Sequence, residues 1–168
     1  MRFELAQRFA ASPDEVADAF TDPGMYAELA SLPKLGQPEV IERRAEGGIV
    51  HLQVRYRFTG DLSAAVKAVV DPAKLTWVDD SHHDLSRRVV TFTMRPDHYA
   101  DRFKASGSYR FEPAPNDPGA TVRTTVGDIK VKMMLVAGQV ERAIISGLRE
   151  HLASEVKVVE RWIGRRPT

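Results

Sequence analysis

The chain has 168 residues, enough for one sizeable core and short for two, since a domain typically takes about 100–150 residues. Its 24 Lys and Arg nearly balance 23 Asp and Glu, and 43% hydrophobic with 28% charged residues is an ordinary globular composition, so no strong field toward nucleic acid or anionic membranes is expected. Cysteine is absent, which excludes disulfides, thiolate chemistry and sulfur-based zinc sites and makes a reducing cytosol the expected compartment.

Met1-Arg2-Phe3-Glu4-Leu5 lacks the apolar run of a signal peptide, and no stretch approaches the ~20 apolar residues of a membrane span. Phe3, Leu5, Gln7 and Phe9 alternate with Arg2, Glu4 and Arg8, the period-two pattern of a half-buried strand. Ser12-Pro13-Asp14-Glu15 then starts a helix: Ser12 caps, Pro13 suits the first turn and Glu15 completes a capping box. Val16, Ala19 and Phe20 share its inner face. Asp22-Pro23-Gly24 breaks the chain, and Met25 to Ala30 forms a second short helix stopped by Pro33 and Gly36.

Strands follow. Val40–Ala45 meets Ile49–Phe58 across Gly47-Gly48, a pair that accepts the positive φ of a tight hairpin. Val50, Leu52, Val54, Tyr56 and Phe58 face one way, and His51, Gln53, Arg55 and Arg57 the other. The Ala-rich segment Leu62–Val70 favours a short helical turn. Strands are expected around Lys74–Ser81, Arg87–Arg95, Arg102–Glu112 and Thr121–Val131, which makes seven with the first. From Met133 to Ile163 apolar residues recur every three or four positions, predicting one amphipathic helix of about 30 residues and roughly 45 Å. Glu141, Arg142, Arg149, Glu150, Lys157, Glu160 and Arg161 line its other face. Its apolar stripe has only the inward face of the sheet to cover it.

This order of elements resembles the helix-grip fold of the START-like (SRPBCC) superfamily, which includes steroidogenic lipid-transfer domains, birch-pollen-allergen-like proteins and polyketide aromatase/cyclases. The resemblance covers the whole chain as one α+β domain with a seven-stranded curved antiparallel sheet. More narrowly, Phe3-x-Leu5 with Ser12-Pro13-Asp14-Glu15-Val16, and Val131-Lys132-Met133-Met134-Leu135-Val136-Ala137-Gly138-Gln139-Val140-Glu141, look like an actinobacterial family of unknown function. No superfamily site is matched, so no catalytic residue and no cofactor carries over.

A sheet curved around one helix leaves a gap wherever side chains are too small to fill it, and such gaps are the usual ligand sites. Small Ala105 and Gly107 sit between Phe103, Tyr109 and Phe111 on one strand face, and Gly147 lies beside Ile144 and Leu148; the alternative is that Gly147 permits close backbone packing. The expected ligand contacts, assigned by face, are Phe58, Trp77, Phe92, Met94, Phe103, Gly107, Tyr109, Met133, Val140, Ile144 and Leu148. The expected partner is a hydrophobic small molecule such as a lipid or polyketide, carried or sensed in this cavity; a cyclase or aromatase using Tyr109, Tyr56 or His98 to move a proton is the alternative, and a solid interaction domain the third reading.

Asp79-Asp80-Ser81-His82-His83-Asp84 concentrates metal-type ligands, but at a strand end or in a turn neighbouring side chains diverge, and the segment is expected to be a solvated loop without a metal. His98, flanked by Asp97 and Asp101, is expected in a loop; His51 falls on the polar side of its strand and His151 beside the helix stripe. Arg43-Arg44, Arg87-Arg88, Arg55 and Arg57 are balanced by acids and suit an outer sheet face rather than a nucleic-acid surface, and Arg161, Arg165 and Arg166 suit the negative end of a helix dipole.

Overall fold

Seven antiparallel strands form one sheet in the order β1-β7-β6-β5-β4-β3-β2. In the computed structural model, which describes residues 1–165 apart from 33, 135, 136 and the side chain of Ala65, they are β1 Arg2–Phe9, β2 Glu39–Glu46, β3 Ile49–Arg57, β4 Thr76–Asp84, β5 Val89–Pro96, β6 Phe103–Ala114 and β7 Asp117–Val131. Three short helices lie between strands, α1 Pro13–Ala19, α2 Pro23–Glu28 and α3 Ala64–Lys67, and the long α4 Ala137–Arg165 follows the last strand. None of these helices is long and apolar enough to cross a membrane.

Local chemistry accounts for the start of the chain. β1 buries every second residue, and α1 carries a complete capping box, with the Ser12 hydroxyl accepting from the Glu15 backbone and the Glu15 carboxylate accepting from the Ser12 N–H at 2.9 Å. Asp22 caps α2 through the Gly24 N–H at 2.9 Å. Gly47 and Gly48, at φ 57° and 81°, supply the left-handed turn between β2 and β3.

Three boundaries differ from the sequence expectation. β4 runs through Asp84, so Asp79–Asp84 is no turn: it pairs with β3 on one side and β5 on the other. Cross-strand pairing on both edges overrides the turn propensity of its Asp and Ser residues. β6 and β7 extend toward each other through Pro113 and Pro118 to a turn at Asn116, φ 63°; this tip lies beyond the pairing of β5 and of β1, where proline is tolerated. Finally, α4 begins at Ala137, leaving Met133 and Met134 in the connection from β7. The three-and-four spacing continues upstream of the helix without making Met133 helical, and Glu141, expected on the solvent face, turns back to accept from the Val131 N–H at 2.9 Å.

α4 lies across β1 and β7 and is braced by α1 and α2. Two apolar clusters result. One joins Phe9, Phe20, Met25, Leu52 and Phe111 to Val158 and Val159 of the second half of α4. The other joins Phe3, Leu5, Ala105, Ile129 and Val131 to Leu152, with residues of the first half of α4 packed only partly against it. Of the C-terminal basic residues, Arg165 pairs with Glu28 at 2.8 Å and donates to the Arg161 carbonyl at the helix end; Arg166 lies outside the described residues.

Candidate functional site

The concave face of the sheet is set by register. Trp77, Asp79, Ser81 and His83 of β4 stand opposite Tyr56, Val54, Leu52 and Val50 of β3 on one side. On the other, Asp79, Ser81 and His83 meet Met94, Phe92 and Val90 of β5, which in turn meet Ala105, Gly107 and Tyr109 of β6. The structure therefore brings Trp77, Phe92, Met94, Phe103, Gly107 and Tyr109 onto one inward surface. Met133, Val140, Ile144 and Leu148 pack beside Met94 and Phe103 from the helix side. Phe58 is set apart, beyond the end of β3 in a bridge to Leu35 with its ring against Gly60.

The helix does not close on this surface along its whole length. Its buried residues are Leu152, Glu155, Val158 and Val159, all in the second half. Val140, Ile144, Gly147 and Leu148 in the first half are only half-buried, as are Trp77, Phe92, Met94 and Phe103 on the sheet. Apolar side chains that face inward from both layers therefore keep accessible surface here, as the lining of a ligand site does. A Cβ built on Gly147 would meet nothing within 4 Å, so this glycine opens room instead of allowing close packing. Gly107 does the opposite: a Cβ there would lie 2.2 Å from the Val126 carbonyl oxygen and 2.8 Å from the Phe92 ring. The room expected in mid-strand at Gly107 is occupied by Phe92 and by the backbone of Gly127.

The same interior carries an unexpected amount of polarity. Asp79 faces inward, and desolvation, then the charges of Asp80 and Glu155, push its carboxyl up to about 7. Its Oδ1 has no hydrogen-bond partner among the described residues, nor have Trp77 Nε1, His83 Nδ1, His151 Nδ1 and Gln7 Nε2. Each buried orphan costs about 1–3 kcal/mol, and Trp77 Nε1 and Asp79 Oδ1, two residues apart on the inward face of β4, mark a place where water or a ligand completes the bonding. His83 is 1% exposed, its Nε2 lies 3.0 Å from the Ser81 hydroxyl, and burial lowers its pKa to about 4. His151 is likewise held below the ordinary imidazole value by burial. Burial drives the phenols of Tyr26, Tyr56 and Tyr109 well above their ordinary value, so they stay protonated.

Next to these groups runs a buried ion pair, Arg123 of β7 with Glu155 of α4, 3% and 7% exposed at their side chains. Arg123 also donates to Gln7 Oε1 at 3.1 Å and lies over the rings of Phe9, Phe20 and Tyr109. Chemically, Asp79 is the versatile member: at neutral pH it is poised between donor and acceptor. Tyr56, stacked on Trp77 at 5.7 Å, and Tyr109 carry phenols that stay protonated. His98 is excluded from this interior, because it sits exposed in the bend after β5. Sequence reading missed Asp79, Arg123 and Glu155; the available signal was the phase of β4, which places Asp79 on the same face as Trp77.

A family model described as a protein of unknown function, DUF2505, matches residues 4–163. The chain belongs to this family. No curated protein matches it. Among solved structures the DUF2505 chain is similar to the Zhui aromatase/cyclase from Streptomyces sp. R1128, at TM-score 0.66 and 19% identity over 99% of this chain and 94% of that one. It is similar to norcoclaurine synthase from Thalictrum flavum, at TM-score 0.64 and 16% identity over 99% and 87% of the two chains. A START superfamily protein from Mycobacterium smegmatis matches at TM-score 0.57 and 14% identity over 98% and 97%. These likenesses establish the START-like helix-grip fold.

Proposed function

We propose that this DUF2505 protein binds a hydrophobic small molecule between the first half of α4 and the concave face of β4, β5 and β6, and holds a polar group of that molecule at Asp79. The observation that carries this reading is the incomplete closure of α4: Val140, Ile144 and Leu148 pack with Met94 and Phe103 against one apolar cluster, yet none of them is fully buried. Leaving such surface half-covered forfeits about 25 cal/mol per Å² of burial, a loss that a bound apolar molecule recovers. The unpartnered Asp79 Oδ1 and Trp77 Nε1 give the ligand a polar end to match.

A second reading rests on Asp79 itself. A carboxyl with a pKa of about 7 beside the phenols of Tyr56 and Tyr109 is suited to moving a proton on a bound carbonyl compound. Two proteins of this fold are named as an aromatase/cyclase and as norcoclaurine synthase, the latter also described in complex with dopamine and hydroxybenzaldehyde, and this supports small aromatic compounds as probes alongside lipids.

The test is native mass spectrometry of the purified protein, with solvent extraction of what co-purifies and titration with fatty acids, sterols and aromatic polyketides. A released apolar molecule, or saturable binding of one probe class, supports the binding reading, and Gly147→Leu should abolish that binding while leaving the melting temperature equal or higher, since the site is open and leucine favours helix over glycine by about 0.8–1 kcal/mol. A bare mass with no response to the panel would count against the binding reading and favour a packed interaction domain.

A further inference from the structure

We propose that the convex face of the sheet carries a divalent transition-metal site formed by His51, Asp80 and His82. Side chains alternate between the two faces of a strand, so β4 sends Asp79, Ser81 and His83 to the interior and Asp80 and His82 to the outside. The register sets His82 directly opposite His51 of β3, and Asp80 opposite Gln53. The two imidazoles stack with centroids 4.5 Å apart and planes 28° from parallel. His51 Nε2 lies 2.8 Å from Asp80 Oδ1. One ligand atom from each of the three side chains lies within 4.8 Å of the other two. Tetrahedral ligation at about 2.1 Å spaces ligand atoms roughly 3.4 Å apart, and rotation of the exposed His82 side chain closes the set to that spacing.

The groups around the three suit a metal site as well. Asp80 Oδ2 is held by Arg95 of β5 at 2.8 Å and by the Gln53 amide at 3.1 Å, which fixes the carboxylate and leaves Oδ1 for an ion. Behind His51, Glu42 of β2 places a carboxylate oxygen 3.8 Å from Nδ1, too long for a hydrogen bond but a negative charge that favours a bound cation. Two guanidiniums oppose a cation: Arg95, which occupies the oxygen that the ion does not need, and Arg44, directly across from His51 in the β2–β3 register and 4.0 Å from Glu42. Two imidazole nitrogens with one carboxylate oxygen select zinc, nickel or copper over magnesium or calcium. Three protein ligands leave a fourth position for water or an external group.

The test is isothermal titration of untagged protein with Zn²⁺, with Mg²⁺ as the control. One saturable equivalent of Zn²⁺ is expected, weakened at least tenfold by His51→Gln and by His82→Asn and unchanged by His98→Asn. Because His82 is exposed, its variant keeps the fold, which the melting temperature without metal verifies. Absence of saturable Zn²⁺ binding, or binding that survives at full strength in either the His51 or the His82 variant, overturns the proposal. A failure here leaves the interior ligand reading untouched, since the two sites lie on opposite faces of the sheet.

Discussion

Asp79 sits in surroundings that disfavour its charged form. An aspartyl carboxyl in an unfolded chain titrates near 4, whereas inside this fold it holds its proton up to about 7. Between those values the folded state binds a proton that the unfolded state has lost, so rising pH favours unfolding across that window and has no further effect through this group above it. Three units correspond to a ceiling of about 4 kcal/mol, reduced by water that reaches the half-buried side chain. Asp79→Asn removes this titration. The stability of the Asn variant relative to wild type should therefore climb by on the order of 2–4 kcal/mol from pH 4 to pH 7 and stay level above, measured by denaturant unfolding across pH. Comparison of variant with wild type cancels His83, whose lowered pKa acts with the opposite sign by withdrawing stability as pH falls from about 6.5 toward 4. A flat difference would mean that Asp79 is solvated in the folded protein. None of this was legible in Asp79-Asp80-Ser81-His82-His83-Asp84 as a string, because the same six residues satisfy a turn; only pairing on both edges decides that they form a strand and which of them face inward.

At the scale of elements, α4 is two helices in one. Its second half is locked to the sheet by Leu152, Val158, Val159 and the Arg123–Glu155 pair, while its first half stands over half-covered apolar surface. The ion pair is a buried charged link between the two layers. Removing one partner strands a buried charge, which typically costs about 3–5 kcal/mol. Glu155→Ala should destabilise the fold by that amount in urea unfolding, and adding Arg123→Leu to it should recover most of the loss by removing the stranded guanidinium. A loss under about 1 kcal/mol for the single variant would place the pair among solvent-screened contacts. The apolar stripe from Val140 to Val159 showed in the sequence which side of the helix meets the sheet. It did not show where contact is tight, since a stripe records polarity and not distance. Gly147 was readable as an opening or as a close contact with equal physical sense, and only its empty surroundings decide for the opening.

For the whole molecule, the division of α4 predicts uneven local stability. A segment with few buried apolar contacts opens at lower free energy than the core on which it rests, so amides of the first half of α4 should exchange with deuterium faster than those from Leu152 onward. An apolar ligand in the space beneath would bind the closed state and not the open one. At a free concentration one hundred times its Kd, such a ligand stabilises the state it binds by about 2.7 kcal/mol, roughly a hundredfold slowing of exchange where opening exposes the site. The slowing should appear between Ala137 and His151 and along β4 to β6, and be absent from β1, the strand that α4 already covers. Hydrogen exchange with and without the molecule recovered by extraction measures this directly. Protection spread evenly over the chain would indicate general stabilisation by a ligand bound elsewhere, whereas protection confined to β3 and β4 on addition of Zn²⁺ would mark the convex histidine pair. The sheet thus presents two faces with separate chemistry, and the strand that serves both is β4, whose alternating side chains supply Asp79 to one and Asp80 with His82 to the other.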